Sequence, residues 1–178
     1  VNAAEVTQTG HLPDPVNPGP HGAGIKSYYT SLEYGGVQFA ILEDRKWKSP
    51  PSKVLKKQII PRGVELPKKL RNHTGIEVVL DPDFDCTKLD DPQLHLLGAD
   101  QEEFIADWSN DLKASGQIGA VISASPWIHV AMYSATFADL DSNAWPQSAR
   151  NRALRAIGDA PGVMLHGDVH LGTLGRHR

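Results

Sequence analysis

Apolar and polar positions change their spacing several times along this chain, and each change marks an element. In "SYYTSLEYGGVQFAILEDR", residues 27 to 45, two β-prone runs flank Gly35 and Gly36. A two-residue Gly-Gly link takes the positive φ angles of a tight hairpin, so strands are predicted at 28–34 and 37–43. In "GADQEEFIADWSNDLKAS" the period becomes helical, with Phe104, Ile105, Trp108 and Leu112 on one face. Asp100 and Glu103 stand at capping-box spacing ahead of that face. "IGAVISAS", 118–125, is a short apolar run halted by Pro126, as expected of a buried strand. A helix follows at 147–158 with Leu154 and Ile157 turned to the core, and "GVMLH" predicts a third buried strand at 163–166. Strand, helix, strand implies a right-handed parallel crossover. In such a sheet functional groups gather beyond the carboxyl ends of the strands. The segments 1–27 and 46–97 lack either period. The first is a Pro- and Gly-rich loop, and the second is a long connection of the functional or insertion-like kind.

Composition narrows the classes. With 178 residues, 40% hydrophobic and 22% charged, the chain is long enough for one globular domain with a real core. Eighteen basic against 21 acidic residues leave a net charge of -3, which excludes the basic footprint of a nucleic-acid binder. One cysteine, Cys86, excludes an internal disulfide and a multi-cysteine zinc site. No stretch supplies roughly 20 clean apolar residues for a membrane span. There is no signal-peptide pattern at Val1, and both ends of the chain look like cuts.

The chemistry sits in "GVMLHGDVHLG", residues 162 to 172. Asp168 and His170 are one residue apart, so in extended backbone their side chains leave the same face. A carboxylate and a neutral imidazole form a good donor pair for a di- or trivalent cation. On the residues alone, Asp168 capping a turn and His170 packing at an edge remain the competing explanation.

"GDVH" after an apolar strand resembles the closing metal motif of the PhoD-like (alkaline phosphatase D) metallophosphatases, in the calcineurin-like metallophosphoesterase superfamily. "YYTSLEYGGVQFAILEDRKWKS", "LLGADQEEFIADW", "WPQSARNRALRAI" and "TQTGHLPDP" resemble further segments of that family, in the same order. The upstream acidic and histidine motifs of the family do not occur. The resemblance implies an α/β fold, part of a four-layer α/β/β/α sandwich, with 1–178 as the C-terminal part of a single domain. It implies metal-dependent hydrolysis of a phosphomonoester or phosphodiester. Two or more metal ions are implied, iron and calcium by the resemblance, with His170 a ligand and Asp168 either a ligand or the group that orients one. The phosphoester substrate is the only partner implied, and an extracytoplasmic location goes with the family. His11, in a loop that resembles one bordering the family's site, and Arg45, suited to bidentate phosphate contact, are the substrate-binding candidates, with a solvated His11 and a local Asp44–Arg45 pair that fixes the strand end as the competing explanations.

Several residues are better explained without chemistry. For His129, Trp127 and Trp145 packing outweighs a ligand or pocket role, and Lys46, Lys48, Lys53, Lys56 and Lys57 form a solvated face. The alternative function is a degenerate, non-catalytic relative that binds a ligand. A Rossmann-like nucleotide-binding half lacks the glycine-rich loop it needs.

Overall fold

The computed structural model describes residues 3, 5–17, 19, 26–54, 63, 65, 78–79, 81, 83, 85–128, 138–139, 145–168 and 174–175. In chain order the strands are β1 (Thr30–Tyr34), β2 (Val37–Ile41), β3 (Val78–Val79), β4 (Ile118–Ser123), β5 (Ala138–Asp139) and β6 (Gly162–His166). The α-helices are α1 (Ala99–Ser115), between β3 and β4, and α2 (Gln147–Ile157), between β5 and β6. The chain divides into two compact units, one of Val1–Trp47, Leu97–Ala124 and Arg152–Leu165, the other of Lys48–Leu96, Ser125–Asn151 and His166–Arg178.

In the first unit a sheet runs in the order β1-β2-β4-β6. The expected hairpin is present. β1 and β2 pair antiparallel from Thr30↔Ile41 to Tyr34↔Val37, and Gly35 and Gly36 take φ of 61° and 77°, a pair of left-handed residues that only glycine adopts freely. The strands are shorter than 28–34 and 37–43. β4 pairs with β2 in parallel, Val37↔Ile118 to Ile41↔Ile122, and β6 is the neighbour of β4 at the sheet edge.

Register sorts the side chains. Gly119 faces α1: a Cβ there would lie 2.5 Å from Leu112 Cδ2 and 2.6 Å from Trp108 Cη2. Ala40 and Val121 share that face and are buried with Ile105, Trp108 and Leu112. The opposite face carries Leu32, Tyr34, Val37, Phe39, Ile118, Ala120 and Ile122, of which only Ala120 is fully buried, with Tyr34 77% and Ile118 62% exposed. A sheet with a helix on one face and an apolar second face suits an α/β/β/α arrangement, in which another sheet covers that second face.

Four expectations need correction. β6 is not buried: Val163 and Leu165 are 59% and 52% exposed, because β6 lies at the edge of the sheet. The capping box is not formed. Gly98 is the N-cap of α1, with no side-chain cap bond, and Asp100 lies inside the first turn, accepting from Asn17 Nδ2 at 3.2 Å. The start of the helix is set by packing, since the Trp47 ring lies against Gly98, where a Cβ would be 3.0 Å from Cε3. Phe104 is half-buried, whereas Gln101 and Ser109 are buried on the face with Ile105, Trp108 and Leu112. In α2 the core positions are Ala149, Ala153 and Ile157, spaced by four, and Leu154 is half-buried.

Two close approaches lock β4 and β6 together. Gly119 N–H donates to the Pro161 carbonyl at 3.0 Å, and a Cβ on Gly162 would run into the Gly119 carbonyl oxygen. Backbone cannot move aside as a side-chain tip can. Gly162→Ala is therefore expected to destabilise by about 1–3 kcal/mol, the usual range for overpacking, and to lower Tm by roughly 4–10 °C. Thermal denaturation followed by circular dichroism measures it, and an unchanged Tm would show that β6 can slide away from β4.

In the second unit β3 and β5 pair antiparallel through Val78↔Asp139 and Val79↔Ala138. Within 46–97 the described regular pieces besides β3 are two 3₁₀ turns, Pro51–Lys53 and Cys86–Leu89. Asp85 caps the latter, accepting from Thr87 Oγ1 at 2.6 Å and Thr87 N–H at 3.0 Å, and these bonds hold its carboxyl below the ordinary range. The start of α2 is capped from a distance: Asp90 Oδ2 accepts from Ser148 N–H at 2.9 Å and Ser148 Oγ–H at 2.6 Å. Burial lowers the pKa of Arg150, and the Asp90 carboxylate opposes that shift. Trp127 and Trp145, 2% and 1% exposed, are core residues as expected.

Candidate metal and phosphate site at the strand ends

At the carboxyl end of β2 the chain passes through Glu43, Asp44 and Arg45, and the first unit fixes each backbone group there. Leu42 N–H continues the ladder to Ile122 O at 2.9 Å. The fully buried Gln101 then takes over: its Oε1 accepts from Glu43 N–H at 2.9 Å, and its Nε2 donates to Glu43 O and Leu97 O, both at 3.0 Å. An amide group of a helix thus serves as one more strand residue beside β2. Asp44, 0% exposed, accepts from Ser123 Oγ–H at 2.8 Å and from Ala124 N–H at 3.2 Å, joining the ends of the two parallel strands. Burying a carboxylate is costly unless it is hydrogen-bonded in this way. Arg45, next along the chain, is exposed.

The loop holding His11 is stapled to the residues entering β1. Val16 N–H donates to Tyr29 O at 3.0 Å, Thr30 Oγ1–H to Asp14 O at 2.9 Å, and Tyr28 O–H to Pro13 O at 2.5 Å. His11 itself is exposed on the turn closed by Leu12 N–H to Thr9 O. The loop is therefore built, and its histidine reaches solvent.

In the second unit Ser125, Pro126 and Trp127 are buried just beyond β4. The ring of His166, the last residue of β6, meets them: Nδ1 lies 3.1 Å from the Ser125 carbonyl, and the ring centroid is 6.1 Å from that of Trp127. After Gly167 comes Asp168, exposed and at φ 73°, a left-handed conformation for a non-glycine residue. The same-face geometry expected of Asp168 and His170 assumed extended backbone, and the chain has left that conformation by 168. The reason is local. β6 ends at His166, and aspartate is among the few residues that tolerate the left-handed region.

Asp168, Arg45 and His11 are thus all solvent-accessible, with Arg45 and His11 in the first unit and Asp168 in the second. His170 and His129 lie outside the described residues, as do Lys56 and Lys57. Among the described residues no three His, Cys, Asp or Glu side chains converge as a cation ligand set. The motif offers the accessible carboxylate of Asp168 and, by sequence, the imidazole of His170. Their chemistry suits a di- or trivalent ion, and further donors are needed to complete a binuclear centre.

Sequence reasoning missed Gln101 and His166, and it gave Asp44 a part in fixing the strand end without its bonds to Ser123 and Ala124. Gln101 was within reach, because 101, 105, 108 and 112 follow the helical period.

No helix among the described residues is long and apolar enough to cross a membrane. No family model matches the chain, and no curated protein matches it in sequence. Among solved structures the chain is similar to one described as "Structure of PhoD", with a TM-score of 0.53, 21% identity and 90% of this chain covered. This chain spans 26% of the length of that one. The likeness is one of fold: the sheet and helices described above have the architecture of a piece of the PhoD α/β fold.

Proposed function

We propose that this chain is part of a metal-dependent phosphoester hydrolase of the alkaline phosphatase D type. The observation that carries the reading is the Asp168 turn, an exposed carboxylate on a left-handed residue just beyond the last strand of a PhoD-like sheet. Such a conformation costs about 1–3 kcal/mol, and residues held in it cluster at functional sites.

Asp168 and His170 would hold a metal ion together with donors from elsewhere in the protein, and the resemblance of the motifs implies two or more ions, iron and calcium among them. When bound, such ions acidify water and offset the charge of the phosphoryl oxygens. Arg45 would make a bidentate contact to non-bridging phosphate oxygens, from a backbone whose neighbours Glu43 and Asp44 are hydrogen-bonded. His11 would meet the leaving-group side of the substrate and deliver or hold a proton there. The substrate is a phosphomonoester or phosphodiester met outside the cytoplasm, as in the family that the motifs resemble.

The test is metal removal in the protein that carries this chain. Hydrolysis of p-nitrophenyl phosphate and bis(p-nitrophenyl) phosphate is expected to fall roughly a thousandfold on chelation and to return with added iron and calcium. An undiminished rate after chelation would exclude the reading. Phosphoester binding without turnover at any metal composition would instead identify a non-catalytic relative.

A further inference from the structure

We propose that His166 is a positioning residue for Asp168, acting through its Nδ1–H bond to the Ser125 carbonyl. The proposal rests on the phosphoesterase reading above. A carbonyl oxygen only accepts, so the proton of this 3.1 Å bond belongs to Nδ1. The acceptor is held in turn, since Ser125 and Trp127 are 1% and 2% exposed. The tilted contact between the rings of Trp127 and His166, 39° between planes, leaves the imidazole little freedom. One hydrogen bond therefore joins the last residue of β6 to the buried segment that follows β4.

Only Gly167 separates His166 from Asp168, and glycine transmits no rotamer preference of its own. The direction in which the chain leaves β6, and with it the left-handed setting of Asp168, depends on where His166 is anchored. Ligands fixed in advance bind metal more tightly, and partners that stand behind ligands typically change metal affinity by 10–100-fold when removed.

Side-chain topology supplies the test. The amide nitrogen of asparagine is as many bonds from the backbone as Nδ1 of histidine, whereas that of glutamine corresponds to Nε2. Titrating Mn²⁺ calorimetrically into the protein that carries this chain, we expect His166→Ala and His166→Gln to raise Kd by roughly 10–100-fold. His166→Asn should stay within about threefold of wild type, with the number of ions unchanged in every variant. Nitrogen-15 shifts of the wild-type ring should report protonation at Nδ1.

An asparagine variant as weak as the alanine variant overturns the proposal, and so does loss of one metal equivalent, which would make His166 a ligand. If wild type takes up Mn²⁺ and His166→Ala binds it equally well, this role alone is overturned. If wild type takes up none, the phosphoesterase reading falls and this role with it. Circular dichroism separates misfolding of the alanine variant from loss of positioning, and the asparagine and glutamine pair decides the matter if alanine fails to fold.

Discussion

Replacing Asp44 with alanine is expected to destabilise the protein by about 3–5 kcal/mol, from the loss of two hydrogen bonds to a buried carboxylate, each worth about 1.5–3 kcal/mol. The carboxylate is 0% exposed and holds Ser123 Oγ–H and Ala124 N–H at the end of β4. Removal leaves two donors without this acceptor, and of the two the Ser123 hydroxyl is buried, where an unsatisfied group costs about 1–3 kcal/mol. Asparagine provides the contrast. Its amide oxygen can accept from Ala124 N–H while its amide nitrogen donates to the Ser123 hydroxyl, which is able to accept as well as donate. Asp44→Asn should therefore cost only about 1–2 kcal/mol, the loss of a charge-assisted bond in exchange for a neutral one. Urea denaturation with an unchanged m-value measures both variants. If alanine and asparagine cost the same small amount, the Asp44 side chain does not join β2 to β4, and the order of the Arg45 segment comes from other bonds, the Gln101 clamp and Trp47 N–H to Asp44 O among them.

How much of this was legible in the sequence depends on which force set each feature. The β1–β2 hairpin was legible because alternation and the Gly35-Gly36 link are local signals, and local geometry decided the outcome. The body of α1 was legible from its period. Its first residue was not, because the Trp47 ring fixed the start at Gly98 and no neighbouring sequence announces a contact made across 51 positions (98 − 47). The exposure of β6 was invisible for a different reason. "VML" has the same apolar composition in a central strand as in an edge strand, and only the order β1-β2-β4-β6 places it at the rim.

The polar interior followed the same rule. Gln101 looked like an ordinary surface residue and Asp44 like a local partner of Arg45, since a hydrogen bond to Ser123 or to the Glu43 backbone leaves no trace in periodicity. Of the candidate site, the residue types at 168 and 170 were readable, and the backbone was not. The left-handed turn at Asp168 changes which way the carboxylate leaves the chain. His166, which sits inside the apolar run, gave no sign in the sequence of its bond to the Ser125 carbonyl.

That turn allows the roles of the two motif residues to be separated in the protein that carries this chain. His170→Ala is expected to lower metal content and to reduce phosphoester turnover by roughly a thousandfold, since it would remove an imidazole donor with no replacement. For Asp168 the choice of substitution matters, because alanine would have to adopt φ 73° and would add about 1–2 kcal/mol of backbone strain to any chemical effect. Asparagine tolerates the left-handed region as aspartate does, and glycine adopts it freely. Asp168→Asn therefore tests charge, and Asp168→Gly tests the whole side chain, each with the turn intact. If the carboxylate is a ligand, both variants should lose metal and fall at least about a hundredfold in rate. If it only orients a ligand, metal content should be retained and the rate should fall about tenfold, more in glycine than in asparagine. Metal analysis of the purified variants beside their phosphodiesterase rates gives the answer. Full metal content and an unchanged rate in His170→Ala would leave the motif as a turn without chemistry, and the cost of holding Asp168 in a left-handed conformation would then need another explanation.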